Sequence, residues 1–352
     1  MGQARFQGEP VLVADIGGTN ARFALVDAGN RADPALFWIR RYAVAQFDSL
    51  AAAIVHYLNE TAVPVAPRRA VLAVAAPVKG DRISITNNPW AFSIAELRDA
   101  LRFEAMAVIN DFAANSMSLP FLKPGDVRAI GPSGNAGIYR GGTGDQDRTF
   151  AIIGPGTGLG VGALLLRGGR AIPIESEGGH ISFAPENAYE FAILESARKH
   201  FERVSYERLI CGPGLMNLYR AVCDIEGVSP SAQTPEQVTA LAGGNPEDLH
   251  FRTLDLFCGI LGACAGDVAL IFGAWDGVYL AGGMLPTLMP WLTAGSFRRR
   301  FEAKGRYRQA MQAVPTVAVL HPDPGLLGAA ARALALPSVS RYPDCENAKG
   351  GL

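Results

Sequence analysis

The sequence predicts an α/β fold of two lobes built on a duplicated core, and three observations carry that prediction. The chain has 352 residues, more than one domain usually holds. VLVADIGGTNARFALVD (11–27) runs apolar, then polar and glycine-rich, then apolar again, and FAIIGPGTGLGVGALLL (150–166) repeats that layout. Laid over each other, Asp15 falls on Gly154 and Gly17 on Gly156. Two strand–glycine turn–strand units, each opening a half of the chain, point to two facing lobes of common design. Strand-like apolar runs alternating with helical patterns supply the third observation.

In the first half, AVLAVAAPV (70–78) reads as a buried strand. Ser93 followed by Glu96 forms a capping box that opens a helix through about Arg102. MAVIN (106–110) is a further strand, ending at Asp111. Gly131 to Arg148, rich in Gly, Ser and Asp, is expected to be a flexible loop or lobe boundary. The second half is more helical. Tyr189 to Phe201 is amphipathic, Thr234 with Pro235 opens a helix ending near Gly243, and Asn245 with Pro246 opens a long one reaching about Phe272. GVYLA (277–281) is a strand running into Gly282-Gly283, DPGLLGAAARALAL (323–336) is helical, and the tail from Ser338 is expected to fray.

Bulk properties narrow the function. A net charge of −1, with 49% hydrophobic and 18% charged residues, is ordinary for a soluble globular protein. It gives no electrostatic reason to expect nucleic acid or a membrane surface as partner. The five cysteines, Cys211, Cys223, Cys258, Cys264 and Cys345, contain no C-x-x-C pair. Free thiols in a reducing cytoplasm are therefore expected, rather than a disulfide framework or zinc knuckle. MGQARFQGEP lacks the apolar core of a signal peptide. Gly277 to Phe297 is uncharged, but Gly282, Gly283, Pro286 and Pro290 make it strand, loop and short helix rather than a membrane span.

Any phosphate binding must then be local. Glycine-rich turns expose backbone N–H groups that cradle phosphate oxygens. No Gly-Lys pair occurs, so the P-loop signature is absent, and Gly154 to Gly160 never gives G-x-G-x-x-G. What remains is Asp15-Ile-Gly-Gly-Thr-Asn20 followed by Arg22. Gly17 and Gly18 permit the positive φ of a tight hairpin, Thr19 and Asn20 add donors, and Arg22 is within reach of a phosphate. Asp15, at the strand end, is placed to hold Mg²⁺ through water. The competing reading is an ordinary hairpin with polar turn residues.

Two further places hold candidate chemistry. Asp111 directly follows a strand, where ligands collect in α/β folds, and is a candidate general base. It could equally cap the helix that follows. Glu177 and His180, three apart around Gly178-Gly179, can accept from and donate to a ring of hydroxyls. A metal site or a satisfied loop histidine are the alternatives, although no Cys or second nearby His completes a ligand set.

Taken together, ADIGGTNARFALVD, TNNPWAFSIAEL, INDFAANSMSLP, GPGTGLGVG, EGGHISFAP, SYERLICGPGLMNLYR, LAGGMLP and HPDPGLLGAAA resemble the bacterial glucokinases of the hexokinase/actin-like superfamily. The resemblance runs through nearly the whole chain. It implies a two-lobe actin-like ATPase (ribonuclease H-like) α/β fold with a duplicated βββαβα-type core and a central cleft. The small lobe would comprise residues 1–121 plus 322–340 and the large lobe 122–321, with 341–352 a flexible tail. ATP would be bound by Ala14, Asp15, Ile16, Gly17, Gly18, Thr19, Asn20, Gly156, Thr157, Gly158, Gly282 and Gly283. Glucose would be held by Asn110, Asp111, Glu177, His180 and Glu207, with Asp111 as catalytic base. The Glu207 assignment rests on the resemblance alone. The activity implied is transfer of the ATP γ-phosphoryl group, with Mg²⁺, to the 6-hydroxyl of D-glucose, by a cytoplasmic homodimer.

Three departures stand out: Ser176 where the family usually has glycine, a long stretch from Gly131 to Arg148, and an extension beyond Leu336. The nearest alternative is a repressor/ORF/kinase-family enzyme acting on fructose, mannose or an N-acetylhexosamine. Such kinases typically carry a cysteine-rich zinc motif after the Glu-x-x-His segment, and none follows His180. A sugar-responsive repressor needs an N-terminal helix-turn-helix, whereas about ten residues precede the first strand. A filament-forming actin-like ATPase leaves Glu177, His180 and Glu207 unexplained.

Overall fold

The computed structural model describes residues 6, 8–29, 34–63, 65–131 and 146–336. The chain forms two compact units, Met1–Ala114 with Gly325–Leu352, and Asn115–Pro324. The chain order of the first unit begins with β1 (Pro10–Ile16), β2 (Asn20–Asp27), β3 (Leu36–Ala43), α1 (Leu50–Thr61) and β4 (Arg69–Val74). The short hairpin β5 (Arg82–Ser84) and β6 (Ala91–Ser93) follows, then α2 (Ile94–Ala100), β7 (Ala105–Asn110) and α3 (Asp111–Ser118). The division between the units falls within α3.

The five-stranded sheet has the order β3-β2-β1-β4-β7. β1 pairs antiparallel with β2 and parallel with β4, so it is hydrogen-bonded on both sides. Its near-continuous apolar sequence follows from burial on both faces. Leu12, Ala14 and Ile16 point to one side, where they join Leu50, Ile54 and Tyr57 of α1. Val11 and Val13 point to the other, onto Leu326, Ala329, Ala330 and Ala333 of a C-terminal helix. That is the period-two alternation of a strand, with apolar residues serving both faces. α2 begins where the capping box places it, with Glu96 N–H donating to Ser93 Oγ at 3.1 Å.

The second unit contains β8 (Val127–Ala129), β9 (Arg148–Pro155), β10 (Leu159–Arg167), β11 (Arg170–Ser176), α4 (Ala188–Arg198), α5 (Gly212–Glu226), α6 (Pro235–Leu241) and α7 (Leu249–Phe272). After these come β12 (Gly277–Leu280), α8 (Leu285–Ala294), α9 (Phe297–Glu302), α10 (Arg308–Ala313) and β13 (Thr316–Val319). The chain then returns to the first unit as α11 (Pro324–Leu334), the alanine-rich helix already met against β1. The sheet order is β11-β10-β9-β12-β13-β8.

Duplication is visible in the topology. In each unit a first strand pairs antiparallel with a second and parallel with a fourth, the second pairs antiparallel with a third, and the fourth pairs parallel with a fifth. The predicted α/β class and repeated core therefore hold, with β8 added antiparallel to β13 in the second unit only.

Two expectations shift. The long helix α7 starts at Leu249 rather than at Asn245-Pro246, because Asp248 is its cap, accepting from His250 N–H and Phe251 N–H at 2.9 and 3.1 Å. Of the stretch from Gly131 to Arg148, residues 132–145 lie outside the described residues, as does the tail from 337, while Arg148 opens β9. Gly277 to Phe297 is strand, loop and helix as expected. α7 itself has the length and apolarity of a membrane span, and most of it is buried in the second unit's core.

α7 achieves that burial by closing on α9 along a glycine face. A Cβ added at Gly262 would lie 2.1 Å from Phe297 O, and one at Gly266 2.7 Å from Phe301 O. Backbone cannot yield as a side-chain tip can, so Gly262→Ala must push the helices apart. Overpacking of this kind costs ~1–3 kcal/mol, more than the ~1 kcal/mol that alanine gains over glycine in helix propensity. Gly262→Ala is expected to lower the melting temperature, at roughly 2–4 °C per kcal/mol for a unit of this size. A melting curve unchanged or shifted upward would contradict the close crossing.

Candidate functional site

The first glycine turn joins β1 to β2. Gly17 N–H donates to Asn20 O at 2.9 Å, closing the hairpin after the Ile16–Ala21 pair. Ala14, Asp15 and Ile16 end β1, Gly17 to Thr19 form the turn, and Asn20 opens β2. The expectation of positive φ at Gly17 and Gly18 fails, since neither residue lies in the left-handed region. Their small size matters for other reasons. A Cβ on Gly18 would crowd Asn87 O and Thr86 O at 3.2 and 3.3 Å. On Gly17 it would meet nothing nearer than Asn20 O at 3.6 Å, an ordinary contact.

A residue that sequence reasoning passed over holds this turn. Asn88 Nδ2 donates to Gly17 O at 2.8 Å, while its Oδ1 accepts from Trp90 N–H at 2.9 Å. The Asn-Asn-Pro run at 87–89 was a turn signal that could have flagged it. Asp15 carries an ion pair to Arg22, 2.9 Å between Oδ2 and Nη1, and its carboxyl packs where a Gly325 side chain would otherwise sit. Arg22 is thus directed onto Asp15.

Asn110 and Asp111 mark the junction of β7 and α3. Phe112 N–H and Ala113 N–H donate to Asn110 Oδ1 at 2.8 and 3.2 Å, so Asn110 performs the capping. Its Nδ2 reaches Ala76 O at 3.3 Å. Asp111 is the first helical residue, its Oδ1 accepting from Phe112 N–H at 3.0 Å.

In the second unit, the glycine turn between β9 and β10 is closed by Gly156 N–H donating to Gly158 O at 2.8 Å. Gly156 O in turn accepts from Gly212 N–H, the first residue of α5, also at 2.8 Å. A Cβ on Gly156 would meet only Gly158 O, at 3.9 Å, and one on Gly283 would meet nothing within 4 Å. Gly282 differs: its φ is +147° and a Cβ would lie 2.4 Å from Pro155 O, so the fold itself demands glycine there.

Glu177, His180 and Glu207 come together beside this turn. His180 Nε2 lies 3.9 Å from Glu177 Oε2, and His180 Nδ1 lies 3.7 Å from Glu207 Oε1. Glu177 and His180 are more than half exposed, whereas Glu207 is about a quarter exposed, at 27%. The two segments that carry these three residues meet because Glu207 N–H donates to Gly179 O at 3.0 Å, stitching the segment around 207 to the Gly178–His180 turn. Tyr206, pinned by its hydroxyl to Asp267 of α7 at 3.0 Å, anchors the same segment in the core. Among the described residues no group of three or more His, Cys, Asp or Glu is arranged to hold a metal. A cavity of about 340 Å³ elsewhere in this unit, lined in part by Glu190, Arg252, Asp255 and Arg300, includes none of the expected site residues.

The chain is similar to known glucokinases along most of its length. The glucokinase family model matches residues 12–336. A glucokinase of Stenotrophomonas maltophilia (strain K279a) is 51% identical over 326 residues, covering 92% of this chain and 95% of its own. The crystal structure of a glucokinase from an Antarctic psychrotroph superposes with a TM-score of 0.80 at 36% identity, covering 93% of this chain and 99% of that one. At the level of fold alone, a ROK family glucokinase from Streptomyces griseus, solved in complex with glucose and AMPPNP, gives a TM-score of 0.59 at 19% identity, with 91% and 98% covered.

Cys211 ties the site segment to α5, its thiol donating to Glu207 O at 3.0 Å and accepting from Gly214 N–H at 3.3 Å. Burial pushes this thiol up to about 11. It is therefore expected to resist iodoacetamide at pH 8 in the folded protein, since the thiolate is the reactive form. Labelling at the rate of an exposed thiol, read by mass spectrometry, would contradict this. Cys211→Ser keeps both contacts, and Cys211→Ala removes the cap, an expected loss of about 1 kcal/mol in stability. With the whole of residues 12–336 matched and half the positions identical to a curated relative, the chain belongs to the glucokinase family.

Proposed function

We propose that the chain phosphorylates D-glucose, transferring the γ-phosphoryl group of ATP to the 6-hydroxyl to give glucose 6-phosphate and ADP. Within a chain of this family, the observation that carries the reading is the convergence of Glu177, His180 and Glu207 beside a glycine turn. Two carboxylates and an imidazole form a hydrogen-bonding set suited to sugar hydroxyls, and sites built this way reject analogues with missing hydroxyls by up to ~10⁴–10⁵.

The proposed nucleotide loops, Ala14–Asn20, Gly156–Gly158 and Gly282–Gly283, are supported by a difference among their glycines. Gly17, Gly156 and Gly283 have room for a Cβ, so none of their described neighbours accounts for its absence there. Close approach of phosphate oxygens to backbone N–H groups does account for it. Thr19, Asn20 and Thr157 add side-chain donors at the same turns.

Asp111 is the proposed general base, taking the proton of the 6-hydroxyl as its oxygen attacks phosphorus. Asp111 stands at the first position of α3, directly after the Asn110 cap, at the end of β7. A positioned base contributes ~10²–10⁴-fold. Mg²⁺ arriving with ATP would neutralise phosphate charge. Asp15, a single hard oxygen donor at 15% exposure, fits such an ion held through water, because Mg²⁺ is usually bound by one or two carboxylates plus substrate phosphates. Four buried free thiols, Cys211, Cys223, Cys258 and Cys264, suit a reducing cytoplasm.

Asp111→Asn is expected to retain glucose binding while kcat falls at least a hundredfold, measured by a coupled assay and calorimetry. A near-normal kcat would remove Asp111 from the role of base. Gly17→Ala is expected to fold with an unchanged melting temperature and to raise the KM for ATP about tenfold or more. An unchanged KM would mean that the β1–β2 turn does not hold phosphate.

A further inference from the structure

Glu207 touches both halves of the second unit's proposed site. Its Oε2 accepts from Leu159 N–H at 2.9 Å, fixing the residue that leaves the Gly156–Gly158 turn. Its Oε1 faces His180 Nδ1 at 3.7 Å, on the side of the proposed hexose contacts. Gly158 makes this possible: a Cβ there would lie 2.6 Å from Glu207 Oε2. The backbone around the carboxylate is closely packed, since a Cβ on Gly179 would lie 2.0 Å from Leu159 O and Glu207 N–H is bound to Gly179 O. Residues 159, 179 and 207 thus form one rigid junction with a single carboxylate at its centre.

From this geometry we propose that Glu207 is a positioning residue for the nucleotide as well as a sugar contact, coupling hexose binding to the shape of the second phosphate turn. One oxygen holds the turn through Leu159 N–H, and the other is offered to a sugar hydroxyl. The turn's backbone donors are then in place for phosphate only when the carboxylate is seated. A sugar hydroxyl that draws on Oε1 stiffens the same side chain whose Oε2 holds the loop. The inference rests on the reading of Glu177, His180 and Glu207 as hexose contacts.

Calorimetric titration of the full chain with glucose alone, and separately with the non-hydrolysable ATP analogue AMPPNP alone, tests it. Glu207→Ala is expected to weaken AMPPNP binding about tenfold in the absence of any sugar, the loss of one hydrogen bond to a charged acceptor. A residue that only contacted sugar would leave that constant unmoved. Glu207→Gln keeps an oxygen for Leu159 N–H and is expected to bring AMPPNP binding back to within about threefold of the parent protein. Gly158→Ala supplies the reciprocal test, and the clash it makes is with the tip of a flexible side chain, so the fold survives it. It is expected to weaken glucose binding about tenfold without nucleotide present, and to have no further effect on glucose once Glu207 is alanine. AMPPNP binding within twofold of normal in Glu207→Ala, or glucose binding within twofold of normal in Gly158→Ala, would overturn the coupling. If the parent protein binds AMPPNP but not glucose, the hexose reading fails first and the coupling falls with it.

Discussion

The proposed site depends on two glycine turns, each following a strand that is held on both sides within its sheet. β1 and β9 are hydrogen-bonded on both sides, antiparallel to the next strand and parallel to a distant one. Such a strand is buried on both faces and cannot shift register without turning its side chains to the wrong side. The turn that follows is therefore fixed in place by the core beneath it. Gly17 N–H to Asn20 O and Gly156 N–H to Gly158 O close the two turns with backbone alone, leaving no side chain over them at Gly17 or Gly156.

Rigidity beneath the turns is matched by ties around them. Asn88 grips the first through Gly17 O, Glu207 grips the second through Leu159 N–H, and α5 donates its first N–H to Gly156 O. These ties come from segments far apart in sequence. Packing crowds a Cβ at Gly158, Gly179 and Gly282, whereas at Gly17 and Gly156 it would make only ordinary contacts and at Gly283 none within 4 Å.

Much of this was legible in the sequence, because the informative features are local. The two hairpins, the Ser93 cap of α2, and the buried strands all declare themselves within a window of a few residues. What was hidden depends on tertiary neighbours. Asn110 rather than Asp111 caps α3, a choice between adjacent residues that only the backbone direction decides. Gly18 reads as a turn glycine but is small because Asn87 lies against it. Asp248 takes the cap of α7 from the Asn245-Pro246 pair, since its carboxylate is the one that reaches two free N–H groups. Glu207 carries no local signal at all; its partner Leu159 is 48 residues away.

The activity proposed for this architecture is phosphorylation of glucose by ATP. Steady-state turnover with ATP, measured by coupled release of ADP across glucose, mannose, fructose and an N-acetylhexosamine, tests it most directly. Sugar-dependent ADP formation is expected, with kcat/KM for glucose well above that for the other hexoses. Comparable or greater kcat/KM for another sugar, or ADP release that does not depend on sugar, would contradict it.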